Sequence, residues 1–404
     1  MKRLISLDSH YGSRTMCSPV TTLVVKTLLV SVVLLGTMGQ HADAQGTDQS
    51  PLPAPTGRHS VGRAEFEWID QSRPDPSSPS RHREIIVWAW YPATPNRGAD
   101  PAVWMPGKWG EVFWSEFAKG RPALTVRPNL SLIRTHAYVD AAVESSTRKF
   151  PVLLFAPGSG ATPLDYSGII EDLVSHGFIV LGVESDFGRA SVFADGRVVL
   201  GHDPVERGAR ISTTDALHAW EEAARTFGQD LSFALAQLGT VKGVPFGQAA
   251  DLASVGVFGH SLGGAAALQC AHDNPRVRAV FNLDGSPIWS SGNGALQKPV
   301  MVLSAASTGL NYDAVLSGAT PGYHLRLAGT VHSFPSDVRV MPFFSAQAAT
   351  SSQLIPPARA LRVTATFLAA FFTKHLNGQP ELLLNGPSGE YPEITFERGS
   401  SRAR

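Results

Sequence analysis

The stretch that decides the fold is residues 254–272, SVGVFGHSLGGAAALQCAH. It opens with an apolar run typical of a buried β-strand and closes with small and apolar residues typical of a helix. Between the two, residues 259–263 (GHSLG) match the pattern G-x-S-x-G. This short pattern is weak by itself, but between a strand and a helix it predicts a sharp turn that exposes a serine hydroxyl. Ser261 is therefore the predicted nucleophile.

Working outward from this turn, apolar strands alternate with amphipathic helices. Residues 151–156 (PVLLFA), 178–183 (FIVLGV) and 277–283 (VRAVFNL) are unbroken apolar runs. Strands that lack polar alternation and are separated by helices predict a mostly parallel central sheet with helices on both faces. Residues 61–69 and 84–91 are rich in β-formers and predict an antiparallel pair at the N-terminal edge of the sheet. The fold class is thus α/β.

Composition excludes several classes of protein. The chain has 404 residues, 43% hydrophobic and 17% charged, which is typical of a folded globular protein. Lys plus Arg and Asp plus Glu both number 34, so the basic excess of a nucleic-acid-binding protein is missing. The two cysteines are too few for a disulfide framework or a cysteine-rich metal site. No dinucleotide or P-loop fingerprint is present, and we expect neither a cofactor nor a metal.

The N-terminal residues predict an export signal. A basic segment is followed by the apolar residues 27–39 (TLLVSVVLLGTMG), a stretch too short for a spanning helix of roughly 20 residues. Residues 42–44 (ADA) then supply a small-x-small cleavage site. We expect residues 1–44 to be a signal peptide cut after Ala44, which makes the protein secreted or periplasmic. Residues 45–58 then read as a flexible leader, 59–377 as the α/β domain and 378–404 as a loosely ordered tail.

A serine nucleophile needs an acid and a base, which follow it along the chain in this fold. Asp284 stands at the carboxyl end of the apolar strand 277–283, the edge at which sites assemble in open α/β sheets. His332 lies in a loop just past a predicted strand, from which an imidazole can reach the serine. Asp284 is therefore the predicted acid and His332 the predicted base, ahead of the other aspartates and histidines of the C-terminal part: Asp273, Asp313, Asp337, His324 and His375.

Two further groups of residues complete the predicted site. The oxyanion of the reaction needs backbone donors, and we expect these to be the N–H groups of Leu262 and, in the loop after residues 151–156, of Ser159. The helical spacing of aromatic residues between 104 and 117 is typical of core packing. The sharper hypothesis is that tryptophans line an open substrate pocket: Trp104, Trp109, Trp114 and Trp289.

Four segments together resemble the plasma-type platelet-activating factor acetylhydrolase family, whose members are α/β-hydrolases. They are residues 151–185, 259–264 (GHSLGG), 281–285 (FNLDG) and 329–334 (GTVHSF), and the step of 23 residues from Ser261 to Asp284 is similar to the family's spacing. The resemblance implies an α/β-hydrolase fold and calcium-independent hydrolysis of short or oxidised acyl chains from phospholipids. It places the nucleophile, acid and base on Ser261, Asp284 and His332, and the oxyanion donors on Ser159 and Leu262.

The sequence leaves the substrate open. The family usually has His-Gly in the oxyanion loop, where this chain has Pro157-Gly158. We expect a serine esterase that acts on a short-chain, small-molecule or lipid ester, with at most a transient contact with a lipid surface and no obligate protein partner. The alternatives are a polyester or cutinase-like hydrolase and a catalytically silent member of the fold that serves as a binding protein.

Overall fold

Eleven strands of the described residues form one mixed sheet, and two more form a separate hairpin. The computed structural model describes residues 50–398, apart from residues 77, 120, 122–126, 206–211, 241–242, 289–294 and 345–353. The strands of the sheet are β1 (Ser60–Asp75), β2 (Ser78–Thr94), β3 (Ala137–Val139), β4 (Ala142–Val143), β5 (Phe150–Ala156), β6 (Ile179–Val183), β9 (Ala250–His260), β10 (Val277–Leu283), β11 (Val300–Ala305), β12 (Gly322–Leu327) and β13 (Ile394–Arg398). The hairpin consists of β7 (Ala190–Val192) and β8 (Val198–Leu200).

The middle of the sheet is parallel and is joined by an antiparallel strand on each side, while β3 at the far edge pairs parallel with β1. The strand order is β13-β12-β11-β10-β9-β5-β6-β2-β1-β3, and β4 pairs with β2. The six strands from β12 to β6 run parallel to one another. β2 joins β6 in the antiparallel direction and pairs along its length with β1. The predicted mostly parallel sheet with an antiparallel N-terminal edge is confirmed.

Helices cover the two faces, as predicted. They are α1 (Gly107–Ala118), α2 (Ser167–Ser175), α3 (Thr213–Leu238), α4 (Leu262–Asp273), α5 (Asp313–Leu316) and α6 (Pro357–Asn377). Alternate residues of the buried strand β5 point to opposite faces. Val152 and Leu154 pack in the apolar cluster that contains α3 and α4. Leu153 and Phe155 pack in the cluster that contains α2 and α6. No helix within the described residues is both long enough and apolar enough to span a bilayer.

The prediction of a flexible leader was wrong for residues 50–58, the part of it that the structure describes. Leu52 is buried in the core. The backbone N–H and hydroxyl of Thr56 both donate to Asp172 Oδ1, at 2.7 and 2.8 Å, and the N–H of Gly57 donates to Ser175 Oγ. These bonds attach the segment to α2. The predicted signal peptide, residues 1–44, lies outside the described residues.

The prediction of a loosely ordered C-terminal tail was also wrong. β13 pairs antiparallel with β12, and residues 382–385 form a 3₁₀ turn next to α6. Leu384 and Ile394 are buried in the core, and Arg359 of α6 forms an ion pair with Glu393. The short strand β13 thus pairs with the edge of β12 that would otherwise be unpaired.

Candidate active site

Ser261 lies on the turn between β9 and α4. Its φ of 56° and ψ of −120° lie in a region that residues with a side chain rarely adopt, at a cost of roughly 1–3 kcal/mol. Close packing holds the turn in place. A Cβ added at Gly259 would lie 2.1 Å from the carbonyl oxygen of Gly263, and one added at Gly263 would lie 2.1 Å from that of Ala156. The two glycines of the motif therefore allow α4 to approach β5 and β9.

Asp284 follows β10 on the neighbouring turn and is fully buried. The backbone N–H of Ala305 donates to its Oδ1 at 2.9 Å, and the hydroxyl of Thr308 donates to its Oδ2 at 2.8 Å. Burial alone raises the pKa of Asp284. The hydrogen bonds from His332, Ala305 and Thr308 outweigh this effect and hold the pKa below its ordinary value. The carboxylate is therefore charged at neutral pH.

His332 lies in the loop after β12 and contacts both other side chains. Its Nδ1 lies 2.6 Å from Oδ2 of Asp284, and its Nε2 lies 2.9 Å from Oγ of Ser261. A carboxylate only accepts hydrogen bonds, so Nδ1 carries the proton and Nε2 is left to accept the serine O–H. The structure thus brings the three predicted side chains into one hydrogen-bonded line. Such a line can remove the proton from the serine hydroxyl.

A buried hydrogen-bond chain behind this line was missed from the sequence. Nε2 of His260 lies 2.8 Å from the carbonyl oxygen of His332, and its Nδ1 lies 2.8 Å from the hydroxyl of Tyr166. That hydroxyl accepts the N–H of Gly158 at 3.2 Å. The only consistent proton order is Gly158 N–H to Tyr166 oxygen, Tyr166 O–H to His260 Nδ1, and His260 Nε2–H to the His332 carbonyl.

His260 is neutral in this chain, because burial and the neighbouring His332 lower its pKa to about 3. These hydrogen bonds connect the loop after β5, which is expected to supply an oxyanion donor, to the loop that carries His332. The second position of G-x-S-x-G, which His260 occupies, offers no sequence signal for this role. Tyr166 falls in an apolar helical pattern that is typical of core packing, so the sequence gives no signal for its contact either.

The two predicted oxyanion donors flank Ser261 along different segments. Leu262 is the first residue of α4, and Ser159 lies in the loop after β5. Within the part of the chain that the structure describes, neither backbone N–H donates a hydrogen bond, whereas the neighbouring Gly160 N–H donates to Phe187. The hydroxyl of Ser159 donates to Asp203. Both amides are thus left available to a ligand, and their role stays a prediction.

Ser261 and His332 line a cavity of about 520 Å³, here called the active-site cavity. Its wall is largely polar and charged. Phe117 of α1 and Phe344 are its two phenylalanines, and Tyr166 lines it as well. A cavity of this size is in the range that accepts small organic ligands.

The tryptophans predicted to line the pocket do not line the active-site cavity. Trp104, Trp109 and Trp114 are buried in the core, and Trp289 lies outside the described residues. The indole N–H of Trp104 donates to Asp337 and that of Trp109 to Glu65, both at 3.3 Å. The prediction was wrong for these three because each indole packs inward, where it finds both apolar contacts and, for two of them, an acceptor.

Comparisons with known proteins find similar esterases. The family model described as platelet-activating factor acetylhydrolase, isoform II, matches residues 44–193. A relative from Arthroderma benhamiae, named a probable 1-alkyl-2-acetylglycerophosphocholine esterase, is 27% identical over 382 residues, which cover 85% of this chain and 93% of the relative. The chain is thus similar to the platelet-activating factor acetylhydrolase family.

Other relatives and a solved structure extend the likeness beyond the matched segment. The platelet-activating factor acetylhydrolase of Canis lupus familiaris is 28% identical over 262 residues, 58% of this chain and 55% of the relative. A solved structure of a ferulic acid esterase from Streptomyces cinnamoneus superimposes with a TM-score of 0.69 at 29% identity, over 86% of this chain and 99% of that one. The predicted α/β-hydrolase fold is confirmed.

The protein is a carboxylic ester hydrolase, as predicted. The named activities of its relatives are all ester hydrolyses. Among the residues that the structure describes, no three His, Cys, Asp or Glu side chains converge as metal ligands. The expectation that the enzyme uses neither a metal nor a cofactor stays a prediction.

Proposed function

We propose that the enzyme hydrolyses esters by two-step acyl transfer, with Ser261 as nucleophile, His332 as general base and Asp284 as the orienting acid. The single observation that supports this assignment is the contact of His332 with both partners, at 2.9 Å to Ser261 and 2.6 Å to Asp284. Asp284 holds the imidazole in the tautomer whose Nε2 accepts a proton and stabilises the imidazolium that forms.

In the first step, Oγ of Ser261 attacks the carbonyl carbon of the ester while Nε2 of His332 takes its proton. The tetrahedral intermediate then breaks its bond to the alcohol oxygen, which takes the proton back from His332. In the second step, water attacks the acyl-serine with His332 again as base, and the carboxylic acid and Ser261 are released. The N–H groups of Ser159 and Leu262 stabilise the oxyanion in both steps, each at roughly 3 kcal/mol.

As substrate we propose a short-chain carboxylic ester, with an acetylated glycerophospholipid as the leading candidate. The names of the relatives support this class, because one is a probable 1-alkyl-2-acetylglycerophosphocholine esterase and another a platelet-activating factor acetylhydrolase. The ferulic acid esterase neighbour favours a second candidate, an ester of an aromatic acid. A polyester substrate has less support, because the three tryptophans of the expected open pocket that the structure describes, Trp104, Trp109 and Trp114, are buried.

We further propose that residues 1–44 direct export and are removed after Ala44. The basic start, the short apolar stretch and the ADA sequence support this. Mass spectrometry of the protein recovered outside the cell should give an N-terminus at Gln45. Recovery of the uncut chain from the cytoplasm would contradict the proposal.

Labelling with a fluorophosphonate probe tests the nucleophile assignment. The folded enzyme should label, and Ser261→Ala should neither label nor hydrolyse 4-nitrophenyl acetate while it keeps a melting temperature close to that of the wild type. Ser286→Ala, which replaces a serine outside the hydrogen-bonded line, is the matched control and should label normally. Turnover by Ser261→Ala comparable to that of the wild type would reject the assignment, and failure of the folded wild-type enzyme to label would favour a silent binding protein.

Rates on esters of graded chain length separate the candidate substrates. A preference for acetyl over longer acyl groups, together with release of acetate from an acetylated choline phospholipid, supports the leading candidate. Faster turnover of methyl ferulate than of acetyl esters would support the aromatic class. Release of soluble products from a polyester film, with slow turnover of both other classes, would support the polymer.

A further inference from the structure

Three arginines line the active-site cavity, and they differ in their partners. Arg189 forms an ion pair with the buried Asp165, at 2.9 Å from Nη1 to Oδ2. Arg121 donates to the carbonyl oxygen of Phe117 and lies over the ring of the same residue. Arg339 forms no ion pair with any carboxylate of the described residues.

The carboxylates of the cavity wall do not neutralise Arg339. Glu116 is paired with Lys119 at 2.6 Å. Asp203 accepts the hydroxyl of Ser159, which lies in the predicted oxyanion loop. The guanidinium of Arg339 thus contributes a positive charge that its described neighbours leave uncompensated.

The surroundings of Arg339 hold its guanidinium in place. Its Nη1 lies 3.3 Å from the hydroxyl of Ser333, the residue directly after the base, and its guanidinium lies over the ring of Phe344 at 5.7 Å from the centroid. The side chain is half-buried, and burial lowers its pKa. A guanidinium has five N–H donors, and the bond to Ser333 uses one of them. The others are available to a ligand in the cavity.

We propose that Arg339 binds a negatively charged group, a carboxylate or a phosphate, on the substrate whose ester bond Ser261 attacks. This inference rests on the proposed function and names the substrate class more narrowly. The planar fork of a guanidinium matches both oxyanions in a bidentate arrangement. Because Arg339 contacts the residue next to His332, the bound anion would lie on the same wall as the base and orient the ester toward the nucleophile.

Matched pairs of esters that differ in one charge test this assignment. The first pair is 4-acetoxybenzoate and 4-acetoxybenzamide, which places a carboxylate on the leaving group. The second pair is 1-acetylglycerol 3-phosphate and 1-acetylglycerol, which places a phosphate there. For each pair, the measured quantity is the ratio of kcat/KM for the anionic ester to that for the neutral ester, corrected for the rates with hydroxide.

The variants are Arg339→Gln, which removes the charge, and Arg339→Lys, which keeps the charge without the fork. Arg276→Gln is the matched control, because Arg276 is exposed and precedes β10 at the edge of the sheet opposite the site. In at least one pair, Arg339→Gln should lower the ratio about tenfold or more, which corresponds to about 1.4 kcal/mol. Arg339→Lys should lie in between, and Arg276→Gln should keep the ratio of the wild type.

The pair that responds identifies the anion. A fall in the first pair alone assigns a carboxylate, and a fall in the second alone assigns a phosphate. If the ratio of kcat/KM values in Arg339→Gln stayed within twofold of the wild type in both pairs, the inference about Arg339 would be overturned. Turnover of all four esters by the same enzymes would still support the proposed function. If the wild type hydrolysed none of the four esters and did not react with the fluorophosphonate, the proposed function itself would fail.

A measurement on the wild type keeps the inference testable if Arg339→Gln does not fold. The free anion 4-hydroxybenzoate should inhibit hydrolysis of 4-acetoxybenzamide competitively and at least tenfold more strongly than 4-hydroxybenzamide. Phenyl phosphate should do the same against phenol for the phosphate arm. Equal inhibition by the charged and neutral compounds in both arms would overturn the inference.

Discussion

Removal of the Tyr166 hydroxyl should destabilise the fold and slow catalysis together. The hydroxyl makes two buried hydrogen bonds, at 2.8 Å to His260 Nδ1 and at 3.2 Å from the N–H of Gly158. Tyr166→Phe loses both and leaves two buried polar groups without a partner. A buried group left unsatisfied costs roughly 1–3 kcal/mol, so the expected loss of unfolding free energy is about 2–4 kcal/mol.

The same change should reduce kcat. Gly158 directly precedes Ser159, the predicted oxyanion donor, and His260 donates to the backbone of His332. Complete loss of an oxyanion donor costs about 100- to 1,000-fold in kcat. Because Tyr166→Phe only loosens the loop, we expect a fall in kcat of about tenfold with little change in KM. Steady-state kinetics on 4-nitrophenyl acetate and unfolding in urea measure the two effects.

Tyr323→Phe is the matched control. Tyr323 is also buried, and its hydroxyl lies 3.3 Å from Nε2 of His375, away from the active-site cavity. This variant should lose about 1 kcal/mol of stability and keep the kcat of the wild type. A kcat of Tyr166→Phe equal to that of Tyr323→Phe would refute the coupling of the buried chain to the site. Wild-type stability of Tyr166→Phe would refute the hydrogen bonds themselves.

Two further predictions concern the turns that carry the acid and the nucleophile. Because the folded pKa of Asp284 is depressed, its charged form stabilises the fold above the ordinary pKa of about 3.9, and this stabilisation is lost as the pH falls toward the folded pKa. The difference in unfolding free energy between wild type and Asp284→Asn, measured in urea at pH 7, 5 and 3, should therefore shrink in acid. A constant difference would contradict the depressed pKa. Gly263→Ala would place a Cβ 2.1 Å from the backbone oxygen of Ala156 and should cost at least about 3 kcal/mol or abolish folding, whereas Gly309→Ala, with open space around it, should be neutral in the same unfolding assay. Equal stability of the two glycine variants would show that the turn has room the structure does not indicate.

The sequence was informative about the sheet and the positions of Ser261, Asp284 and His332 for one physical reason. Residues at the carboxyl ends of parallel strands meet at one edge, so the order of apolar strands was enough to choose Asp284 and His332 among several candidates. The same reasoning did not reach Tyr166 or His260. Their contacts depend on the packing of α2 against the turn, which no local periodicity encodes.

The wrong predictions, about the tryptophans, the leader and the tail, have a different origin. They concern which residues pack against the core or the sheet edge. An amphipathic aromatic helix such as α1 has the same pattern whether its aromatic face meets the core or a ligand, and here Trp109 and Trp114 meet the core. The segments at residues 50–58 and 378–398 are rich in turn-forming residues. A few contacts hold them in place, such as the hydrogen bond from Thr56 to Asp172 and the pairing of Ile394 with β12. The partners in these contacts lie far away in the sequence.

The strained backbone at the site is held in place by mutual support between its two turns. Ser261 and Asp284 both have positive φ, at 56° and 47°. The N–H of Ser261 donates to the carbonyl oxygen of Leu283, the residue just before Asp284, and the N–H of Asp284 donates to Leu303 of β11. Neither turn can relax without breaking a bond to the next strand. The positions of Ser261 and Asp284 are therefore set by the sheet, and His332 reaches both side chains from the loop after β12. A substitution that lets the backbone of Ser261 or Asp284 leave positive φ should therefore raise the activation free energy of catalysis by more than it lowers the free energy of unfolding.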